Sequence, residues 1–204
     1  MNLPNKLTIV RVLVVPLLVF FFMAQFIPGN DFIALGLFIF ASFTDLFDGM
    51  IARKKNLVTN FGKFMDPVAD KLLVISSLLC LLVVDGGERI CSNQVLGLIA
   101  VMIIIARELI IDGFRLVASD NGSVIAASMW GKIKTATTML AICLMTVVKR
   151  FPIIKEVTTV VFWIAVTLTV VSLVDYVAKN RNVMLDKKEE HKPKFDEETG
   201  LPLN

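Results

Sequence analysis

The chain has 204 residues, of which 56% are hydrophobic, and a net charge of +3. Its mean hydropathy of +0.75 is too high for an ordinary soluble domain and points to a membrane protein. So small a net charge gives no case for nucleic acid, and three scattered cysteines (Cys80, Cys91, Cys143) form no disulfide framework.

In chain order, the first apolar stretch runs from Leu7 to Phe26, interrupted by Thr8, Arg11 and Gln25. Arg11 and the lack of a small-residue cleavage site argue against a secretory signal, so the stretch reads as a retained first helix. Pro4 suits a helix start, and Pro16 predicts a kink. Pro28, Gly29 and Asn30 predict a turn, followed by a second helix over about Phe32 to Arg53. A polar connection from Lys54 to Phe61 leads to a third helix, about Gly62 to Val84. Asp85, Gly86 and Gly87 break the chain again before a fourth helix over about Asn93 to Val117. After a turn around Asp120–Gly122, a fifth helix runs from about Trp130 to Val148 and a sixth from about Ile153 to Ala178.

The expected fold is therefore all-α, a single bundle of six transmembrane helices over residues 1–179, with a polar pocket at its cytoplasmic end. Residues 180–204 are a Lys- and Glu-rich tail with too little apolar area to fold alone. Six spans put both termini on one side. With the termini in the cytoplasm, only Arg89, Lys149, Arg150 and Lys155 of the 21 basic residues fall outside, leaving 17 at or near the inner side. The expected location is a bacterial cytoplasmic membrane.

Against this apolar background, the stretch DLFDGMIARKKNLVTNFGKFMDPVAD, from Asp45 to Asp70, is anomalous. A carboxylate at the centre of a spanning helix costs roughly 2.5–3.5 kcal/mol, so four could cost about 10 kcal/mol unless cations sit among them. At about 100° per residue, Asp45, Asp48, Gly49 and Ala52 share one helical face, as do Gly62, Asp66 and Asp70 on the next helix. Two antiparallel helices joined by a short loop can turn these faces together, giving four carboxylates around one pocket. Hard oxygen donors suit Mg²⁺ or Mn²⁺, and magnesium commonly completes its shell with substrate phosphates. Gly49, Ala52 and Gly62 leave room for a bulky ligand, and Arg53 could bind phosphate at the rim. A lone aspartate at a helix end is usually a cap or a solvated charge; four at this spacing on adjacent membrane helices are rarely that.

The pattern D-x-x-D-G-x-x-A-R, eight residues, then G-x-x-x-D-x-x-x-D resembles the signature of the CDP-alcohol phosphotransferase family, with Asp45, Asp48, Gly49, Ala52, Arg53, Gly62, Asp66 and Asp70 at its fixed positions. The resemblance implies transfer of a phosphatidyl group from CDP-diacylglycerol to an alcohol, with release of CMP. It assigns Asp45, Asp48, Asp66 and Asp70 to a centre of two divalent cations. Asp70 is also the base that deprotonates the acceptor, while Gly49, Ala52 and Gly62 pack the nucleotide. Members of the family often form dimers, so a homodimer is compatible with it.

The acceptor depends on other charges. Arg107, Glu108, Asp112 and Arg115 lie at the inner end of the fourth helix, and Lys132 and Lys134 open the fifth. Arg107, Arg115, Lys132 and Lys134 could grip an anionic acceptor; for the two lysines, snorkelling membrane anchors are an equal alternative. The segments ARELIIDGFR (106–115) and GKIKT (131–135) resemble the phosphatidylglycerophosphate synthase branch, as does PNKLTIVR. That branch implies sn-glycerol 3-phosphate as acceptor, with Asn5, Thr8 and Arg11 helping to hold the nucleotide diphosphate. The same family with inositol phosphate, serine or a phosphatidyl lipid as acceptor is the alternative. A cation transporter ranks lower, because the acids cluster at one end with small residues among them. Lys71 reads as a snorkelling stem, and Asp175 as an i, i+4 partner of Lys179.

Overall fold

The computed structural model describes residues 3–54, 60–91, 93–120 and 128–185, with the side chains of 7–44, 65–91, 93–118 and 128–180. Within them the chain is helical and has no strand. Six α-helices follow one another: α1 (Leu3–Met23), α2 (Asn30–Lys54), α3 (Asn60–Val83), α4 (Gln94–Asp120), α5 (Met129–Val147) and α6 (Lys155–Leu185). The α6 helix continues past Lys179, where the charged tail was expected to begin. Pro16 lies inside an α1 that stays continuous across it.

The breaks fall where local chemistry calls for them. The 3-10 turn over Val84–Gly87 contains Asp85, Gly86 and Gly87 at φ of +52°, +66° and +80°. That left-handed backbone suits glycine, and a Cβ on Gly87 would stand 3.0 Å from the Leu82 carbonyl oxygen. Asn93 caps α4, its Oδ1 accepting from the amides of Val95 (3.0 Å) and Leu96 (3.3 Å). Ser128 caps α5, accepting from the Gly131 amide at 3.1 Å.

In the bundle, α1 packs against α2 and α3, α6 packs against α4 and α5, and α2 meets α5 to join the halves. Leu18, Phe22, Phe38, Leu78, Leu81, Ile104, Ile142, Met145 and Phe162 form one continuous core. A smaller cluster of Ile111, Phe114 and Tyr176 ties α4 to α6, the two rings meeting edge to face at 6.1 Å between centroids. Outside, large apolar side chains such as Leu13, Phe40, Leu109, Leu116 and Val174 stand exposed, a surface that suits lipid far better than water.

Among the described residues, three segments are long and apolar enough to cross a membrane: Met65–Gly87, Gln94–Ala118 and Pro152–Asn180. Leu7–Met23 and Asn30–Thr44 are apolar but shorter. Leu7 and Thr44 are also where the described side chains begin and end, and α5 carries Lys132 and Lys134 in its first two turns. All three cysteines are free thiols.

Candidate active site

Asp66 and Asp70 stand one turn apart on α3 and project from the same face, as their spacing predicts. The Thr8 hydroxyl, buried on α1, donates to Asp66 Oδ1 at 2.6 Å, so the first helix helps to orient the carboxylate. Arg11, one turn further along α1, is also buried, and its Nε donates to the Ala41 carbonyl of α2 at 3.3 Å. Asp45, Asp48, Gly49, Ala52 and Arg53 lie in the C-terminal part of helix α2, and Gly62 near the start of α3. Their side chains, and that of Asn5, fall outside the described set. Among the described residues no group of three or more metal-ligating side chains comes together. The carboxylates of Asp66 and Asp70, hard donors one helical turn apart, fit an Mg²⁺- or Mn²⁺-type ion.

Asp70 also borders a cavity between α3, α4 and α5, walled by Lys71, Val74, Ile75, Ile104, Glu108, Lys134, Thr135 and Thr138. Here the structure joins residues from distant parts of the chain. Lys134, only 2% exposed, forms an ion pair with Glu108. Glu108 Oε1 also accepts from Arg107 Nη1 at 3.1 Å, and Arg107 Nη2 donates to Ser172 Oγ of α6 at 2.6 Å. Ser172, Arg107, Glu108 and Lys134 thus form one continuous polar chain across three helices. Gly131 packs beside this chain, where a Cβ would lie 3.4 Å from Arg107 Nη2, at van der Waals contact.

Of the four cations expected to grip an acceptor, the structure brings Arg107 and Lys134 together on Glu108. Lys132 and Arg115 are exposed and form no ion pair among the described residues. Lys71 is not the snorkelling stem that its position suggested: its ammonium pairs with Asp112 of α4 and borders the cavity. A lysine snorkels when water is its nearest polar partner, and here a carboxylate on the adjoining helix is nearer. Asp175 and Lys179 do form the expected i, i+4 pair, at 2.7 Å.

Two participants escaped the sequence reading. Ser172 sits in an apolar run with no motif around it, and only packing reveals its contact with Arg107. At the opposite end of the bundle, Arg89 donates to Asp31 (2.7 Å), to Asp85 (2.9 Å) and to the Thr146 carbonyl (3.1 Å). Lys149 reaches Asp85 at 2.9 Å, and Arg150 Nε lies 3.6 Å from Asp31. Asp31 in the first turn of its helix and a DGGER turn were the available signals, but neither indicates which charge meets which.

Comparison with known proteins accounts for nearly the whole chain. Residues 1–171 match the model of the CDP-alcohol phosphatidyltransferase family. A Bacillus subtilis protein named CDP-diacylglycerol–glycerol-3-phosphate 3-phosphatidyltransferase is 39% identical over 196 residues, covering 88% of this chain and 95% of its own length. Proteins of the same name from Haemophilus influenzae (36% identity; 91% of this chain and 96% of the relative) and Rickettsia felis (35%; 86% and 93%) are similar. The chain belongs to the CDP-alcohol phosphatidyltransferase family.

Proposed function

We propose that this protein transfers the phosphatidyl group of CDP-diacylglycerol to sn-glycerol 3-phosphate, giving phosphatidylglycerophosphate and CMP. One observation carries the reading: a single cavity is bordered by Asp70, from the aspartate signature, and by Lys134, an ammonium suited to a phosphate. The shared name of the full-length relatives supports the same donor and acceptor.

In this reading Asp45, Asp48, Asp66 and Asp70 hold two divalent cations, Mg²⁺ or Mn²⁺. When bound, these polarise the phosphoryl group and stabilise the departing phosphate. Asp70 takes the proton of the acceptor hydroxyl. The oxygen bonds to the lipid-bearing phosphorus, and the bond from that phosphorus to CMP breaks. Thr8 orients Asp66, while Asn5, Arg53 and the small residues Gly49, Ala52 and Gly62 receive the nucleotide. Arg107, Arg115, Lys132 and Lys134 supply positive charge for the acceptor phosphate, with Glu108 and Ser172 fixing Arg107 in place.

The reading also includes six spans, both termini in the cytoplasm and the site at the cytoplasmic end. Contacts among Gln25, Asp31, Asp85, Arg89, Thr146 and Lys149 support it. They join the α1–α2, α3–α4 and α5–α6 connections at one end, as an up-and-down bundle requires. The distribution of lysine and arginine supports the orientation. A homodimer is compatible with this arrangement.

An acceptor screen tests the proposal. Purified protein in detergent, given CDP-diacylglycerol and Mg²⁺, is expected to release CMP with sn-glycerol 3-phosphate and not with inositol phosphate or serine. CMP release with either of those, and none with glycerol 3-phosphate, would overturn the assignment of acceptor.

A further inference from the structure

We propose that Lys71 binds the acceptor's phosphate together with Lys134, as a second ammonium on the cavity wall; this rests on reading the cavity as the acceptor site. A phosphate monoester carries about −1.5 to −2 charges at neutral pH. Lys134 cannot balance that alone, because Glu108 already shares its charge. Arg107 is not among the described residues that border the cavity, and with its two terminal nitrogens on Glu108 and Ser172 it adds positive charge from behind that wall. Among the described residues, Lys71 is the other cation on that wall.

The position of Lys71 suits the task. It follows Asp70 directly, so base and ammonium rise from neighbouring Cα atoms, about 3.8 Å apart, on one helix. An acceptor of only three carbons needs its phosphate held close to the hydroxyl that reacts. Asp112 of α4 pairs with the ammonium across the seam between α3 and α4 and shares its charge. An ammonium has three N–H donors, so Lys71 can keep Asp112 and still donate to a phosphate oxygen. The four-carbon stem supplies the reach. Lys71 and Lys134 would then approach the phosphate from α3 and α5, and an acceptor without that charge would leave both poorly used.

Steady-state kinetics of the purified full-length protein, varying each substrate in turn, test this. For Lys71→Gln the KM for sn-glycerol 3-phosphate is expected to rise about 10- to 100-fold, the loss of a charge-assisted hydrogen bond. The KM for CDP-diacylglycerol should stay within about twofold, and Lys71→Arg should recover most of the loss. Lys134→Gln runs beside it. If Lys134→Gln raises the acceptor KM and Lys71→Gln does not, the role of Lys71 falls and the acceptor site stands. If neither raises it, the acceptor-site reading falls and takes Lys71 with it. A Lys71→Gln change confined to kcat, or shared equally by both substrates, also overturns the proposal. Should Lys71→Gln fail to fold, Asp112→Asn decides, since it keeps the ammonium and removes its partner. An acceptor KM at or below that of the parent supports the proposal, and a marked rise overturns it.

Discussion

Charged side chains gather at both ends of this apolar bundle, and the two gatherings differ in how they are enclosed. At the end where the α1–α2, α3–α4 and α5–α6 connections meet, Arg89 and Asp31 pair with 3% of either side chain exposed. Asp85, Lys149, Arg150 and the Thr146 carbonyl close around them. At the other end, Asp70, Lys71, Glu108 and Lys134 surround a cavity. The first arrangement joins three turns and spends its charges on one another. The second has the same kinds of residue around space for a molecule. Burial of charge alone therefore does not distinguish the two ends; a cavity bordered by charge does.

The largest effect is expected at the open end. Asp70→Asn removes the proposed base and one metal-binding oxygen, so CMP release should fall at least about 10²- to 10⁴-fold. Thermal unfolding in detergent should move little, because the lost charge borders a cavity. Near-normal CMP release would end the assignment of Asp70 and erase the contrast between the two ends.

The closed end should respond in the opposite way. Arg89→Met leaves Asp31 buried, with Arg150 at 3.6 Å as its remaining cation, and should cost about 3–5 kcal/mol of stability. Adding Asp31→Asn removes the orphaned charge and should restore part of that loss. Thermal unfolding of the single and double variants measures both. If Arg89→Met melts like the parent but loses activity, this end has a functional role that its geometry does not suggest.

How much of this was legible in the sequence depends on the distance over which each residue acts. Helix boundaries are local, and Asn30, Asp85–Gly87, Asn93 and Ser128 signal them within a few residues. The Asp66–Asp70 face is local too, set by a single helix repeat. Partners between helices are not. Arg89 and Asp31 are 58 positions apart and Arg107 and Ser172 are 65 apart, and the pairing depends on how the helices pack and rotate. Lys71 shows the cost: read along α3 it is a cation near a helix end, whereas beside α4 it is the partner of Asp112. The span count is less legible in α5, where Lys132 and Lys134 occupy the start of the helix.

The smallest effect is expected from Thr8, which separates the two ends most finely because it belongs to the core by burial and to the site by contact. Its hydroxyl donates to Asp66 at 2.6 Å from a side chain 1% exposed. Thr8→Val keeps the shape and removes the donor. One hydrogen bond to a carboxylate is worth about 1.5–3 kcal/mol at most in a closed site, and less where another donor or a cation can substitute. A fall of about 5- to 10-fold in kcat/KM for CDP-diacylglycerol is therefore expected, with little change in melting temperature. A destabilisation comparable to that of Arg89→Met, without a kinetic change, would instead show that α1 is fastened at both ends for stability. The contact with Asp66 would then belong with the closed network.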